Sequence, residues 1–403
     1  MAIIRQSYLD QIRPFIGAPF IKTLTGIRRC GKSTILELLE TELTRMGVQA
    51  ERIIYINLET WAPGELSSEK LFETIQSRKA KEGLSYILLD EVQLIEGWER
   101  VVNALFAGKQ ADITLSGSNS KLLSSELATL LSGRYVQFTI RTLSFAEYGD
   151  FARQIGGRNP ETKAALREYL RWGGFPGIHY LKEMQSSLVY KTVSDIFSSV
   201  VLRDVMQRNR LRNADMLERI IRFLFDNTGN MVSAASIAAY FKNQKRKVSV
   251  DTVLEYINAL EGACVLEKVS RFDIKGKKLL EAREKYYCAD ISLVNALLGY
   301  DDRRLPGLLE NLVYLELKRR LYDVYVGILE NSEIDFIAVK GNEKAYFQVC
   351  YKISRDSIER EFGNLLKIKD QYPKYVVSLD EDWTSNVDGV RHVYLADFLL
   401  GSG

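Results

Sequence analysis

The stretch that most constrains this chain is Gly26-Ile27-Arg28-Arg29-Cys30-Gly31-Lys32-Ser33. It satisfies the pattern G-x-x-x-x-G-K-[ST] at every fixed position, and that pattern works only between a strand and a helix. The flanks agree. Ile21-Lys22-Thr23-Leu24-Thr25 reads as a short strand, and Thr34-Ile35-Leu36-Glu37-Leu38-Leu39 opens a helix. Glycines let the backbone wrap closely around phosphates, and N–H groups at a helix start point at the anion. The expected cradle for ATP is Gly26, Arg28, Arg29, Cys30, Gly31, Lys32, Ser33 and Thr34. Lys32 is expected to reach the β- and γ-phosphates, and the Ser33 hydroxyl to take a place on Mg²⁺.

A second element lies downstream. Tyr86-Ile87-Leu88-Leu89-Asp90-Glu91 is an apolar run ending in two carboxylates. Such a run predicts a strand buried on both faces of a parallel sheet, with its carboxyl end at the ligand side. Asp90 is then the residue to hold Mg²⁺ through water, and Glu91 the general base for the attacking water. A third strand, Asp112-Ile113-Thr114-Leu115, leads into Ser116-Gly117-Ser118-Asn119. Asn119 is the candidate to sense the γ-phosphate or position the water; a plain Gly/Ser turn is the other reading.

At 403 residues, with 46% hydrophobic and 27% charged content, the chain is long enough for two or three globular domains. The formal net charge of +3 neither demands nor excludes nucleic acid, because a local patch is enough to bind it. Cys30, Cys264, Cys288 and Cys350 are far apart, and His179 and His392 are the histidines, so no zinc-site spacing exists. Cys30 reads either as an oxidisable thiol or simply as a small residue in the loop. Free thiols suit a reducing, cytoplasmic setting. The first residues lack the apolar core of a secretory leader, and no run reaches the length of a membrane span.

The expected fold class is α/β. Residues 1–150 alternate strands (21–26, 53–58, 86–92, 112–117, 135–141) with helices (32–47, 67–80, 98–107, 121–131), which predicts a P-loop core around a parallel sheet. Residues 151–212 read as a helical subdomain broken at Trp172-Gly173-Gly174-Phe175-Pro176-Gly177. Residues 213–290 read as three helices and two short strands, 265–269 and 278–282, which describes a winged helix-turn-helix. Its basic residues are Lys242, Lys245, Arg246 and Lys247 before the third helix, and Arg271, Lys275, Lys277 and Lys278 on the wing. Clusters so placed suit DNA phosphates; the alternative is a solvated face used for packing or oligomer contacts. Residues 300–403 form a last module, with a helix from Leu308 and a hairpin turning at Gly341-Asn342. Arg134, close after a Gly, is the candidate arginine finger for a neighbouring subunit of a homo-oligomer, with Arg141, Arg171 and Arg203 in competition.

Taken together, these motifs resemble those of the bacterial and archaeal ATP-binding proteins that join an AAA-type ATPase domain, a winged helix and a C-terminal restriction-endonuclease-like domain. The resemblance spans essentially the whole chain. It is carried by the loop at 26–33, Leu88-Leu89-Asp90-Glu91-Val92-Gln93 and Leu115-Ser116-Gly117-Ser118-Asn119. Further carriers are Leu131-Ser132-Gly133-Arg134, Leu143-Ser144-Phe145, Gly173-Gly174-Phe175-Pro176 and the Glu333–Phe336 segment. It implies ATP binding and hydrolysis with Mg²⁺ and an association with DNA. It also exposes a departure. Restriction-like nucleases use an acidic residue on a helix, an Asp on a hairpin strand and E-x-K on the next strand. Glu310 and Asp335 match the first two, but the third position reads Gln348-Val349-Cys350. A neutral amide is a weaker metal ligand, and a thiol cannot replace the lysine, so the site is expected to be a vestigial, inactive nuclease. Lys352, two residues on, is the one substitute. The leading expectation is an ATPase whose nucleotide cycle moves a DNA-binding module. The alternatives are a nucleotide-switched signalling protein and an active ATP-dependent nuclease.

Overall fold

The runs read as buried strands do line up side by side, and the parallel sheet they form carries the nucleotide loop. The computed structural model describes residues 3–118, 133–209, 211, 213–330, 332–353, 355–383 and 386–401. It divides into two compact units. The first is Met1–Thr142 with Leu202–Val205 and Gly262–Cys264; the second is Leu143–Val201, Met206–Glu261 and Val265–Gly403.

In the first unit, β1 (Ile21–Thr25), β2 (Ile53–Asn57), β3 (Ser85–Asp90), β4 (Ala111–Gly117) and β5 (Tyr135–Thr139) run parallel in the order β2-β3-β4-β1-β5. β1 and β4 are buried at every residue, and β3 at all but one. The edge strand β2 alternates buried and half-buried residues, and the other edge, β5, is largely open. Helices Lys32–Arg45, Ser68–Arg78 and Trp98–Ala107 make the crossovers that parallel strands require. Ile54, Ile56, Ile87, Leu89, Ile113 and Leu115 meet Leu71, Ile75, Trp98 and Val102 in one apolar cluster. Each such side chain contributes roughly 1.5–3 kcal/mol by leaving water. The helix expected over 121–131 lies outside the described residues.

One charged pair sits inside this sheet. Lys22 on β1 donates to Asp112 on β4 at 2.6 Å, and Asp112 also accepts from the Gly17 N–H at 2.6 Å. Both side chains are almost fully buried, and each needs the other, because an isolated buried charge costs several kcal/mol. Burial lowers the Lys22 pKa, and Asp112 opposes that shift.

The second unit begins with helices Phe145–Gln154, Thr162–Trp172 and Ser186–Ser199. Ser144 and Glu147 form a capping box that starts the first of them. The break expected at Trp172–Gly177 is real and has a steric cause. Gly173 has φ +65°, and a Cβ there would lie 1.9 Å from an Asp290 carboxylate oxygen. The same carboxylate accepts from the Gly174 N–H at 2.8 Å.

Helices Ala214–Asp226, Ala234–Asn243 and Val250–Gly262 follow. The strands are β6 (Met231–Val232), β7 (Leu266–Asp273), β8 (Lys278–Cys288), β9 (Asp323–Leu329), β10 (Ser332–Lys340), β11 (Glu343–Cys350), β12 (Lys374–Ser378) and β13 (Arg391–Tyr394). All eight join one sheet, ordered β13-β12-β11-β10-β9-β7-β8-β6. This differs from the expected short wing and separate last module. β7 and β8 are longer than the sequence pattern suggested, and β7 pairs in parallel with β9 through Arg271↔Val326 to Asp273↔Ile328. A free edge of unpaired N–H and C=O groups is thereby covered. The Gly341-Asn342 hairpin forms as expected, with Lys340 opposite Glu343.

Candidate nucleotide-binding site

The loop leaves the end of β1 through a position only glycine can occupy. Gly26 has φ +148°, and a Cβ there would fall 2.1 Å from the Ile140 carbonyl oxygen. Gly31, at φ +104°, caps the helix Lys32–Arg45 and turns the first helical N–H groups toward the loop. Lys32 is buried, and its ammonium donates to the carbonyls of Gly26 at 3.0 Å and Ile27 at 3.2 Å. It is therefore folded back on the loop that a phosphate would enter. Ser33 and Thr34 are half-buried in the first helical turn, and Arg29 is exposed in a left-handed conformation. Cys30 is fully buried, with its thiol donating to the Ile140 carbonyl at 3.2 Å. Of its two readings the structural one fits, since the thiol is shut away from solvent oxidants.

A residue outside the motif supports the loop from behind. The buried Arg5 guanidinium lies over the Tyr8 ring at 4.6 Å and donates to the carbonyls of Cys30 at 3.0 Å and Thr142 at 3.3 Å. No local pattern marks Arg5; its role comes from contacts far along the chain.

Asp90 and Glu91 sit at the carboxyl end of β3, one strand removed from the loop. Asp90 is fully buried. Its Oδ1 accepts from the Ser116 hydroxyl, while its Oδ2 has no hydrogen-bond partner among the described residues. An orphaned, buried carboxylate oxygen beside a phosphate loop is what a hydrated Mg²⁺ needs, so the donor set of Ser33 and Asp90 fits the ion. Glu91 is nearly buried and adopts φ +58°, an uncommon conformation for a side chain of its size. Its N–H donates to Ser116 Oγ at 3.1 Å, and its carboxylate accepts from the Gln93 amide. Ser116 thus ties both acids to the end of β4.

Arg28 is the loop residue with the least expected partner. Its guanidinium reaches Asp204 at 3.4 Å and Glu59 at 3.5 Å, and Asp204 also accepts from the Ser118 hydroxyl at 3.2 Å. Asn119 lies outside the described residues. Arg134 is exposed. Because β5 pairs in parallel with β1, Arg134 stands beside Ile21, at the strand-start end of the sheet. Five residues of strand, about 16 Å, separate that end from Gly26. Arg141, by contrast, is buried at the loop end of the sheet, with its N–H donating to the Tyr8 hydroxyl. Arg171 lies over the Tyr300 ring at 5.2 Å in the second unit. Of Arg203 only the backbone is described.

A phosphate loop at the end of β1, flanked in space by β4 and β5, with an acid pair on β3, defines a P-loop nucleotide-binding protein. The comparisons agree. The family described as an AAA domain matches residues 19–149, and one described as a domain of unknown function matches residues 163–304. An uncharacterized protein of Haemophilus influenzae is 36% identical over 400 residues, which span 99% of this chain and 98% of that one. Protein MJ1544 of Methanocaldococcus jannaschii is 28% identical over 361 residues, 87% of this chain and 79% of the relative. The solved Walker-type ATPase PABY2304 of Pyrococcus abyssi shares the fold at a TM-score of 0.51 and 16% identity, over 74% of this chain and 96% of its own. The chain belongs to one family with the Haemophilus relative, and its residues 19–149 match an AAA domain. No helix among the described residues is long and apolar enough to cross a membrane.

In the second unit, Lys242 is exposed in the last turn of the helix Ala234–Asn243, Lys245 and Lys247 are exposed after it, and Arg246 pairs with Asp215 at 3.2 Å. Lys275, Lys277 and Lys278 are exposed at the turn between β7 and β8, where Lys275 reaches Glu330 at 3.4 Å. The structure brings Glu310 and Asp335 together, but around a lysine. Lys285, on β8 and buried, lies 2.8 Å from Glu310, 2.7 Å from Glu333 and 3.5 Å from Asp335. Glu310 also accepts from the Tyr287 hydroxyl at 3.0 Å, and Asp335 from the Val349 N–H at 2.8 Å. Gln348 lies one step along from the Phe336↔Phe347 pair, and its buried Oε1 has no partner among the described residues. Lys352 does not share its strand face, because β11 ends at Cys350 and Lys352 is exposed beyond it. The missed residue is Lys285, which no nuclease pattern includes.

Burial, and then Asp335, push the Glu310 carboxyl up to about 8 against the pull of Lys285. Burial likewise raises Asp335 to about 6, with Lys285 opposing. Burial alone would lower Lys285, but Glu310, Asp335 and Glu333 together raise it above its ordinary range. The folded state thus retains carboxyl protons that the unfolded chain has already released. Removing the lysine leaves acids that must be protonated to stay buried, which is easier at low pH. Lys285→Met should therefore destabilise the protein by about 3–5 kcal/mol at pH 7.5. Thermal melts at pH 7.5 and pH 5 should show the deficit shrinking at the lower pH; a deficit of equal size at both would contradict the electrostatic account.

Proposed function

We propose that the chain binds and hydrolyses ATP with Mg²⁺ at the 26–33 loop and couples that cycle to DNA binding by its second unit. The observation that carries the reading is the loop itself, with Lys32 turned into it and Asp90 and Glu91 at the end of β3, one strand away. On ATP entry, Lys32 exchanges the Gly26 and Ile27 carbonyls for β- and γ-phosphate oxygens, and loop N–H groups take the rest. Glu91 accepts the proton of the attacking water, and Gln93 holds its carboxylate in place meanwhile. Ser33 and Asp90 would hold Mg²⁺, which supplies charge neutralisation between the phosphates. Arg134, exposed and far from its own loop, suits service to a second copy's site in a homo-oligomer. A cytoplasmic location goes with the free thiols.

The three helices from Ala214 to Gly262 and the β7–β8 hairpin support a winged-helix reading, with phosphate contacts from Lys242, Lys245, Arg246, Lys247, Lys275, Lys277 and Lys278. For the last module we infer a nuclease-like fold that does not cut. Lys285 supplies a cation to Glu310 and Asp335, while Gln348 and Cys350 supply neither charge needed for phosphodiester cleavage.

Three outcomes test this reading. Lys32→Ala should abolish tight ATP binding, whereas Glu91→Gln should bind ATP and lose turnover; hydrolysis by Glu91→Gln at the parental rate would remove Glu91 as the base. If about six basic side chains meet phosphates, log K for DNA should fall with log salt at a slope of about −5. Reversing Lys245, Arg246 and Lys247 to Glu should weaken binding to all sequences alike, and no affinity for DNA at low salt would favour a signalling ATPase. Incubation with duplex, single-stranded and branched DNA in Mg²⁺ or Mn²⁺, with and without ATP, should give no cleavage. Cutting that is lost on Asp335→Ala would restore the nuclease.

A further inference from the structure

Asp204 is a buried carboxylate at the nucleotide site that no motif predicts. It is 1% exposed and touches two sequence-distant pieces of the site at once. Its Oδ2 faces the Arg28 Nε at 3.4 Å, in the phosphate loop, and its Oδ1 accepts from Ser118 Oγ at 3.2 Å, just past the end of β4. Arg28 is itself 91% buried, given its 9% exposure, and its other contact is the half-exposed Glu59 at 3.5 Å. The carboxylate is carried on Val200–Gln207, a stretch wound more widely than an α-helix, which continues from Ser186–Ser199. Such insertions cost helix stability and recur at functional sites.

We propose that Asp204 is a positioning residue for the nucleotide: it holds Arg28 while the loop is empty, and the phosphates of ATP take Arg28 from it. This rests on the reading that the 26–33 loop binds ATP. The chemistry is a competition for one guanidinium. Arg28 presents a planar fork of donors that fits a carboxylate or a phosphate equally well in shape. Without nucleotide, a buried Asp204 needs a cation, and Arg28 supplies it. With ATP in the loop, phosphate oxygens carry more negative charge than one carboxylate and stand beside Asp204, so like charges oppose each other while Arg28 is drawn across. Asp204 therefore works against ATP affinity and gives the Val200–Gln207 stretch a reason to move when ATP binds. Ser118 keeps Asp204 at the end of β4, so that stretch and the strand end respond together.

Calorimetric titration of ATP into the full chain tests this, with Lys32→Ala as the loop control. Asp204→Asn should bind ATP at least about fivefold more tightly than wild type, the lower end of ordinary coupling between sites. Asp204→Glu should return toward wild type. In an Arg28→Ala background the Asp204→Asn gain should vanish. Equal affinity of wild type and Asp204→Asn, or a gain that persists undiminished without Arg28, overturns the proposal. Wild type failing to bind ATP, or binding it no better than Lys32→Ala, overturns instead the reading on which it rests. Should the variants fold poorly, amide exchange of residues 200–207 in the wild type decides: ATP should raise it, and unchanged or slower exchange overturns the proposal.

Discussion

Everything at the nucleotide site hangs from the end of one strand. β1 is hydrogen-bonded on both sides, to β4 and to β5, in matching parallel register. Register is strict where a strand is buried on both faces, because a one-residue slip would reverse every side chain. The consequence reaches the loop directly. With β5 locked beside β1, the Ile140 carbonyl stands where a Gly26 side chain would be, and it also receives the Cys30 thiol. With β4 locked on the other side, Ser116 stands where it binds both Asp90 and Glu91. The sheet thus sets the loop's entry, its glycine and the position of the acid pair through backbone pairing alone.

Three buried cations among the described residues sit against carboxylates. Lys22 has Asp112, Arg28 has Asp204, and Lys285 has three carboxylates. The three differ in what else competes for them. Lys22 lies at the strand-start end of the sheet, away from the loop, so its pair is structural. Lys285 faces an excess of acid, which raises Glu310 and Asp335 rather than leaving them all ionised. Arg28 alone stands where a stronger anion is expected to arrive, and a pair so placed is a switch rather than a staple.

The parts legible in the sequence were those whose chemistry is local. The phosphate loop is a contiguous pattern, β3 is an apolar run with its acids attached, and the β10–β11 turn is a Gly-Asn pair between alternating strands. What escaped depended on separation along the chain. Asp204 meets Arg28 across 176 positions, and Arg5 meets the Thr142 carbonyl across 137. Nothing local distinguishes these residues from any other Asp or Arg. The β7–β9 pairing escaped for a related reason, since a parallel partner is joined by a long connection and leaves no turn signal. That Arg134 stands at the strand-start end was likewise hidden, because proximity to a Gly says nothing about which end of a parallel strand a residue occupies.

Lys285 shows how acids can be gathered in a protein interior by a side chain. A divalent ion draws carboxylates together and leaves coordination positions open to water and substrate. An ammonium draws the same carboxylates together but is covalently tethered, carries one charge and has only hydrogen bonds to offer. Its ammonium donates to Glu310 and stands at ion-pair distance from Glu333 and Asp335, and Tyr287 takes a further share of Glu310. Such a centre is self-contained: it gains nothing by releasing the lysine unless a cation of higher charge can also recover the cost of burying it. Gln348, neutral and with an idle oxygen, adds no negative charge toward that exchange. The acids are therefore better explained as the counter-charge of a buried lysine than as ligands in waiting, and the lysine as the brace that ties β8 to β10 and the helix Leu305–Arg319.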